Sequence, residues 1–408
     1  MRLKDIAYIN PAYTGPDLGD QLVSFSPMEC LRYDSLKPIT ISFSEAKGKY
    51  TFFKDNDILF AKVTPCFENQ NIAIANNLVN GIGFGSSEIN VLRLKSDASL
   101  RYMFYVICSN RFYNTGCSSM CGVGGLKRIN PRAVSTFEFT MPSLTEQEAI
   151  AAYLDKECEK IGRKIELLER KAYAYSRLRR SLINRAVTRG LNPNVSLKPS
   201  GNNWIGDIPQ HWGYERVEKY FHNNTSYNKD FQYKHAFKFF KGTIIYKDET
   251  FEEDEYQDTY EKYTIVEPND IIINGLNLNY DFKSMRVGKV TENGIITSAY
   301  IVLRPYNNVY SDFFNYLFKA FDYRKFFHGM GKGIRLTLSF NELRYFEIPV
   351  PPIDEQKKIA AYLDEKCAKI DAILEKINTE VERLKELKRS LINEVVTGQR
   401  AIDTESHS

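Results

Sequence analysis

Pro142-Ser-Leu-Thr-Glu-Gln-Glu-Ala-Ile-Ala-Ala-Tyr-Leu-Asp155 opens a stretch that closes with Ser181-Leu-Ile-Asn-Arg-Ala-Val-Thr188. Pro351-Pro-Ile-Asp-Glu-Gln-Lys-Lys-Ile-Ala-Ala-Tyr-Leu-Asp364 opens a second, which closes with Ser390-Leu-Ile-Asn-Glu-Val-Val-Thr397. Setting each residue from Pro142 to Thr188 against the one 209 positions later gives 21 identities in 47 positions, with no gap. Agreement at that level marks an internal duplication, and a repeat governs how the rest of a chain is read.

Both copies read as helices. Thr145 and its equivalent Asp354 are N-cap residue types, and Glu148 completes a capping box in the first copy. Apolar residues then recur at steps of three and four: Leu154, Cys158, Ile161, Ile165, Leu168, Ala172, Tyr175, Leu178, Leu182 and Ala186. The second copy gives Leu363, Cys367, Ile370, Leu374, Ile377, Val381, Leu384, Leu387, Leu391 and Val395 in the same register. This is the coiled-coil period. Gly162, equivalent to Asp371, is the weak point. Roughly 45 residues at 1.5 Å rise make a rod of about 65 Å, so neither stripe can hide in a globule of its own. The two helices are therefore expected to pack on each other.

A chain of 408 residues with 26% charged side chains should form two or more soluble domains. No apolar run reaches membrane-spanning length, and Met1-Arg-Leu-Lys-Asp5 lacks the apolar core of a signal peptide. Seven cysteines without a CxxC pair, and five scattered histidines, speak against a disulfide framework or a zinc site. Cys158 and Cys367 read as core residues, and the compartment as a reducing cytoplasm. A net charge of +4 permits nucleic-acid contact through local patches without demanding it.

The segments before the two helices resemble each other more faintly. Lys54-Asp-Asn-Asp-Ile-Leu-Phe60 matches Glu267-Pro-Asn-Asp-Ile-Ile-Ile273, and Ser87-Glu-Ile-Asn-Val-Leu-Arg93 matches Ser298-Ala-Tyr-Ile-Val-Leu-Arg304. Each has strand-like runs, a short aromatic helix (Tyr102 to Phe112; Phe313 to Phe327), a glycine loop and a last strand. The expected fold class is mixed α+β. Its domains are residues 1–142, a helix over 143–190, a linker over 191–203, residues 204–351, a helix over 352–398 and a tail over 399–408. Trp204 and Trp212 are expected to anchor the linker on the second domain.

No catalytic constellation assembles. Asn10-Pro-Ala-Tyr13 departs from the Asn-Pro-Pro-Tyr/Phe signature of amino-methyltransferases at its third position, and Gly81-Ile-Gly-Phe-Gly85 reads as a turn. Two glycine-basic loops fall at the same place in each repeat: Cys121-Gly-Val-Gly-Gly-Leu-Lys-Arg128 and Gly329-Met-Gly-Lys-Gly-Ile-Arg335. Glycine lets backbone approach a phosphate, and the cations can meet phosphates or guanine edges. A flexible solvated loop is the bland alternative; recurrence in both halves favours DNA contact. The candidate DNA-binding residues are Gly124, Lys127, Arg128, Lys332 and Arg335 in the loops and Arg111, Arg324 and Lys325 beside them. Lys62 and Lys241 are weaker candidates for the same surface.

Domain, long helix, domain, long helix: this order resembles the specificity subunit of Type I restriction–modification systems, the HsdS family. The resemblance rests on Pro-x-x-x-Glu-Gln-x-x-Ile-Ala-x-Tyr-Leu-Asp in both copies, on the closing Arg-Ser-Leu-Ile-Asn-x-x-Val-Thr, and on the Trp204…Ile208-Pro209…Trp212 lead-in. It covers essentially the whole chain. It implies two target recognition domains that each read half of a split, asymmetric sequence in double-stranded DNA, with the helices as an antiparallel spacer. It also implies two methyltransferase (HsdM) subunits, which bring S-adenosylmethionine and methylate adenine N6, and restriction (HsdR) subunits, which use ATP and Mg. No cofactor and no catalysis are expected in this chain, and no membrane. Glu146-Gln147 and Glu355-Gln356, Arg180 and Arg389, and Asn184 and Asn393 are polar identities that a coiled-coil core does not require. They are the expected docking face for two identical partners, while the stripe residues form the seam between the helices. A coiled-coil scaffold would explain the helices but not the duplicated loops.

Overall fold

The computed structural model describes residues 1–95, 98–123, 125–240, 242–247, 258–334 and 336–402. The chain divides into two compact units, Met1–Glu169 with Asn378–Ser408, and Arg170–Ile377. The division runs through both long helices, Leu144–Arg189 and Ile353–Val396. Each unit thus holds one strand-rich segment, the start of the helix that follows it, and the end of the other helix.

In the first unit, Ala7–Ile9, Ile89–Leu94, Ile58–Ala61 and Ile72–Ile74 form an antiparallel sheet in that order. In the second unit, Phe221–Asn223, Ile301–Pro305, Ile271–Ile273 and Val287–Lys289 repeat it. The central strands are apolar at consecutive positions because both faces are covered. Ile58 and Phe60 point into the cluster shared with the helices, while Leu59 joins Val91 and Phe53 on the other face. Ile271 and Ile273 against Ile272 make the same partition in the second unit. Successive strand residues face opposite ways, so a strand sandwiched between two cores needs no polar alternation.

The shared Asn-Asp-Ile motif also has a structural task. Asp57 is buried, accepts from the Lys54 N–H at 2.8 Å, and forms a two-pronged pair with Arg93 at 2.9 and 2.7 Å. Asp270, Glu267 N–H and Arg304 repeat the arrangement at 2.9, 3.0 and 2.8 Å. The first unit's second sheet includes Ile82–Gly85, paired parallel to Leu22–Ser26. The glycine-rich run read as a turn is therefore a strand. Gly83 is needed because a Cβ there would lie 2.2 Å from the Phe53 ring. The first aromatic helix is split at Ser109 into Leu100–Cys108 and Asn110–Ser118; that hydroxyl accepts from the Phe112 N–H and caps the second piece. Its counterpart, Ser311–Tyr323, is unbroken.

The first long helix begins two residues earlier than its cap residue types suggest. Ser143, not Thr145, accepts from the Glu146 N–H, so the Thr145–Glu148 capping box is not formed. Gly190, with φ +73°, ends the helix in the left-handed conformation that favours glycine. The helices pair within each unit. In the first, Leu154 and Cys158 share a core with Leu391, Ile392 and Val395, and Lys164 bridges to Glu380 at 2.9 Å. In the second, Ile183 and Val187 share one with Ile359, Leu363 and Cys367, and Arg179 meets Asp371 at 3.2 Å. Rising numbers on one helix meet falling numbers on the other, which is antiparallel pairing. Leu363, Ile370 and Ile377 are buried, while Ile161, Ile165, Leu168 and Leu374 are half-buried. Leu178 and Leu387 leave the expected seam, at 46% and 52% exposed. Strict alternation of four- and three-residue steps puts Arg179 and Lys388 in the seam instead, and both are half-buried, so the neighbouring leucines turn outward.

Candidate nucleic-acid interface

Cys121–Val123 and Leu126–Arg128 form a β-hairpin. Its base is tied to the segment after the central strand. Ile129 N–H donates to the Lys62 carbonyl at 2.9 Å, Thr64 N–H to the Lys127 carbonyl at 2.9 Å, and the Thr64 hydroxyl to the Gly125 carbonyl at 2.8 Å. Arg128 is paired with Glu88 at 2.6 Å, and that hydrogen bond, with the charges of Arg128 and Lys62, holds the Glu88 carboxyl below its usual range. Lys62, Lys127 and Arg128 are thus gathered at one hairpin. Its tip presents Val123, 90% exposed. Gly124 lies outside the described residues. Arg111 sits elsewhere, over the Phe137 ring at 5.9 Å.

The second unit has a tighter version of the same feature. Lys332 and Thr337 form a bridge that closes the glycine loop, and Ile334 in it is 95% exposed. Lys332 pairs with Glu342 at 3.4 Å. Lys325, with φ +58°, is half-buried and reaches the Ser284 carbonyl at 3.4 Å; its burial lowers its pKa. Arg324 is engaged by Trp204: it donates to the tryptophan carbonyl and lies over the ring at 5.8 Å. Arg335 and Lys241 lie outside the described residues.

This loop is bonded to a second one, Asn274–Ser284, which the residue types did not single out. Leu278 N–H donates to the Leu336 carbonyl at 3.1 Å, Leu338 N–H to the Gly275 carbonyl at 2.9 Å, and the Asn279 side chain to the Ile334 carbonyl at 3.1 Å. The available signal was its place in the repeat: Gly275 follows a central strand just as Lys62 does.

The duplicated polar residues of the helices have partners inside the fold. Gln147 is buried, accepts from the Ser99 N–H at 2.9 Å and donates to the Pro142 carbonyl at 2.9 Å. Gln356 does the same with the Tyr310 N–H at 3.2 Å and the Pro351 carbonyl at 2.9 Å. These two glutamines are therefore structural and closed to a docking partner. Glu355 accepts from the Trp212 indole at 3.0 Å, which fixes the buried lead-in tryptophan, while Glu146 is exposed. Trp204 packs edge-on against Phe326 at 5.4 Å, so both tryptophans act as anchors. Arg180 lies over the Tyr323 ring at 5.2 Å, Arg389 pairs with Glu386 at 3.7 Å, and Asn184 and Asn393 are half-buried.

Among the described residues no group of three His, Cys, Asp or Glu side chains is placed to hold a metal ion, and no helix is long and apolar enough to cross a membrane. Two curated relatives from Escherichia coli are the Type I restriction enzyme EcoEI and EcoAI specificity subunits. They are 37% identical over 158 residues and 38% identical over 152 residues, which is 38% and 36% of this chain. The matched stretches span only 26% of each relative. Among solved structures, a chain from a study of complex assembly and conformational transition in the type I R-M system matches with a TM-score of 0.72. At 16% identity over 98% of this chain and 97% of that one, the likeness is one of fold. The profile of the Type I restriction modification DNA specificity domain matches twice, over residues 4–170 and 210–383, once for each copy of the repeat. The chain belongs to the Type I restriction–modification DNA specificity family.

Proposed function

We propose that this chain is the sequence-recognition subunit of a Type I restriction–modification complex and reads a bipartite, asymmetric target in double-stranded DNA. One observation carries this reading: two units that repeat the same four-stranded sheet and the helix after it put different loops in the same place. The hairpin Cys121–Arg128 and the loop Gly329–Thr337 follow equivalent helices, but their side chains and their neighbouring loops differ. Lys62, Lys127, Arg128, Lys325 and Lys332 supply sequence-blind phosphate contacts, and a few side chains in each unit read base edges. The antiparallel helices act as a ruler that sets the uncontacted spacer.

Catalysis belongs to partners. Methylation of adenine N6 inside a duplex requires flipping the base into a methyltransferase pocket that binds S-adenosylmethionine. Two such subunits dock on the duplicated helix surface, where Leu178 with Arg180 recurs as Leu387 with Arg389. Restriction subunits, where present, bring ATP and Mg. The test is selection of binding sites from a random duplex library by this chain in complex with its methyltransferase partner. Two unlike sequence blocks at a fixed separation are expected, with binding that weakens steeply as salt rises. One contiguous block, or binding without sequence preference, overturns the reading; the latter outcome favours a scaffold.

A further inference from the structure

The segments that follow the central strands, residues 62–70 and 275–285, occupy the same slot in the two units. The Ala61 N–H donates to the Asn71 carbonyl at 3.0 Å and the Asn274 N–H to the Arg286 carbonyl at 2.8 Å, which sets the register. Their contents differ. In the first unit the aromatic residue of the slot, Phe67, is buried and stacks on Tyr113 at 5.8 Å. Gly116 makes room for it, since a Cβ there would lie 2.4 Å from the Phe67 ring. In the second unit the aromatics face out: Tyr280 is 75% exposed and Phe282 57%.

An exposed aromatic pair on a slack loop would say little, but this loop is clamped from below. Arg286 is fully buried, and its guanidinium donates to the carbonyls of Asn274 at 3.1 Å, Leu276 at 2.7 Å and Asp281 at 2.9 Å. The Arg286 N–H is accepted by Asp322, itself fully buried. Burying a guanidinium is costly unless its donors are paired, so the loop backbone is held to the shape that pairs Nη1 and Nη2 with its carbonyls. The Asp281 carboxylate accepts from the Lys283 and Ser284 N–H groups at 3.0 and 2.9 Å and sets the turn that carries Phe282, whose ring stacks on His328 at 4.7 Å. The loop is also bonded to the glycine loop that presents Ile334. Two loops bonded to each other thus expose the apolar side chains Tyr280, Phe282 and Ile334, and carry Lys283 and Lys332, the latter paired with Glu342.

We propose that the Arg286-clamped loop is the base-reading element of the second unit, with Tyr280 and Phe282 as the side chains that meet the bases. The occupant is duplex DNA. Aromatic and apolar side chains contact thymine methyl groups or wedge at base steps, and cations on the same two loops suit phosphates. The inference rests on the function proposed above and adds an asymmetry to it: the first unit, with Phe67 turned inward, reads its half-site without an aromatic from this slot.

The experiment is methylation-site mapping with the full chain and its methyltransferase partner, comparing the parent with Tyr280→Ala, Phe282→Ala and the double variant. Both side chains are exposed, so thermal unfolding should be unchanged within a few degrees. The expected result is that one or two positions of one half-site lose roughly ten-fold or more of their base discrimination, with the other half-site and the spacer unaltered. An unaltered motif in the double variant overturns the inference, and so does loss of the methyltransferase from the purified complex with the motif kept, which assigns the surface to a protein partner. A parent without a bipartite motif overturns the function itself.

Discussion

Gln147 accepts a hydrogen bond from the Ser99 backbone N–H at 2.9 Å, and by that bond the start of the first long helix is locked to the start of the aromatic helix. Gln356 and Tyr310 repeat the lock in the second unit. Replacing Gln147 with Leu leaves a backbone N–H without its acceptor and should cost about 1–3 kcal/mol. Gln356→Leu should cost a similar amount. Thermal or denaturant unfolding reads the loss directly; variants as stable as the parent contradict the lock.

The turn beneath Phe282 makes a titration prediction. Hydrogen bonds from Ser284 and Lys283, with the nearby charge of Arg286, lower the Asp281 pKa to about 2. A carboxyl depressed in the folded state stabilises the turn above its unfolded value, and this contribution fades as pH falls from about 4 toward 2. An NMR titration should place the Asp281 midpoint near the lower figure. A midpoint at the ordinary carboxylate value means the turn is not formed.

Leu178 and Leu387 hold equivalent positions on the two helices, one residue before the seam positions Arg179 and Lys388, and both are exposed. Leu178→Glu or Leu387→Glu should each remove one methyltransferase subunit from the complex, and the double variant both. Stoichiometry by light scattering or native mass spectrometry is the measurement. Full occupancy in the double variant moves the docking face elsewhere.

The ruler can be lengthened. Four helical residues inserted near Lys171 and again near Val381 add roughly 6 Å of rise. Site mapping should show a spacer longer by about two base pairs, at about 3.4 Å each, and unchanged half-sites. Changed half-sites with an unchanged spacer would contradict the helices' role.

The duplication, the packing of the two helices on each other and the matching strand-like runs were legible because a repeat fixes equivalence and apolar spacing fixes faces, whereas the antiparallel sense came from the family resemblance. The apolar run Ile271–Ile273 announces a strand covered on both sides, and Cys158 and Cys367 announce a core. Polar identity was harder to read. Gln147 and Gln356 look like surface residues until their backbone partners, 48 and 46 positions earlier, are brought beside them. The glycine-basic loops were visible from composition, whereas the loop they lean on was not. Nothing local in Tyr280 or Phe282 says that they face outward while Phe67 turns in. That depends on Arg286, on Gly116, and on contacts far away in the chain.

Mapping methylated adenines in DNA from cells that express this chain with its methyltransferase partner tests the central claim most directly. The account predicts a single motif of two unlike half-sites separated by a fixed number of unread base pairs. A contiguous motif, a palindrome, or methylation without sequence preference would contradict it.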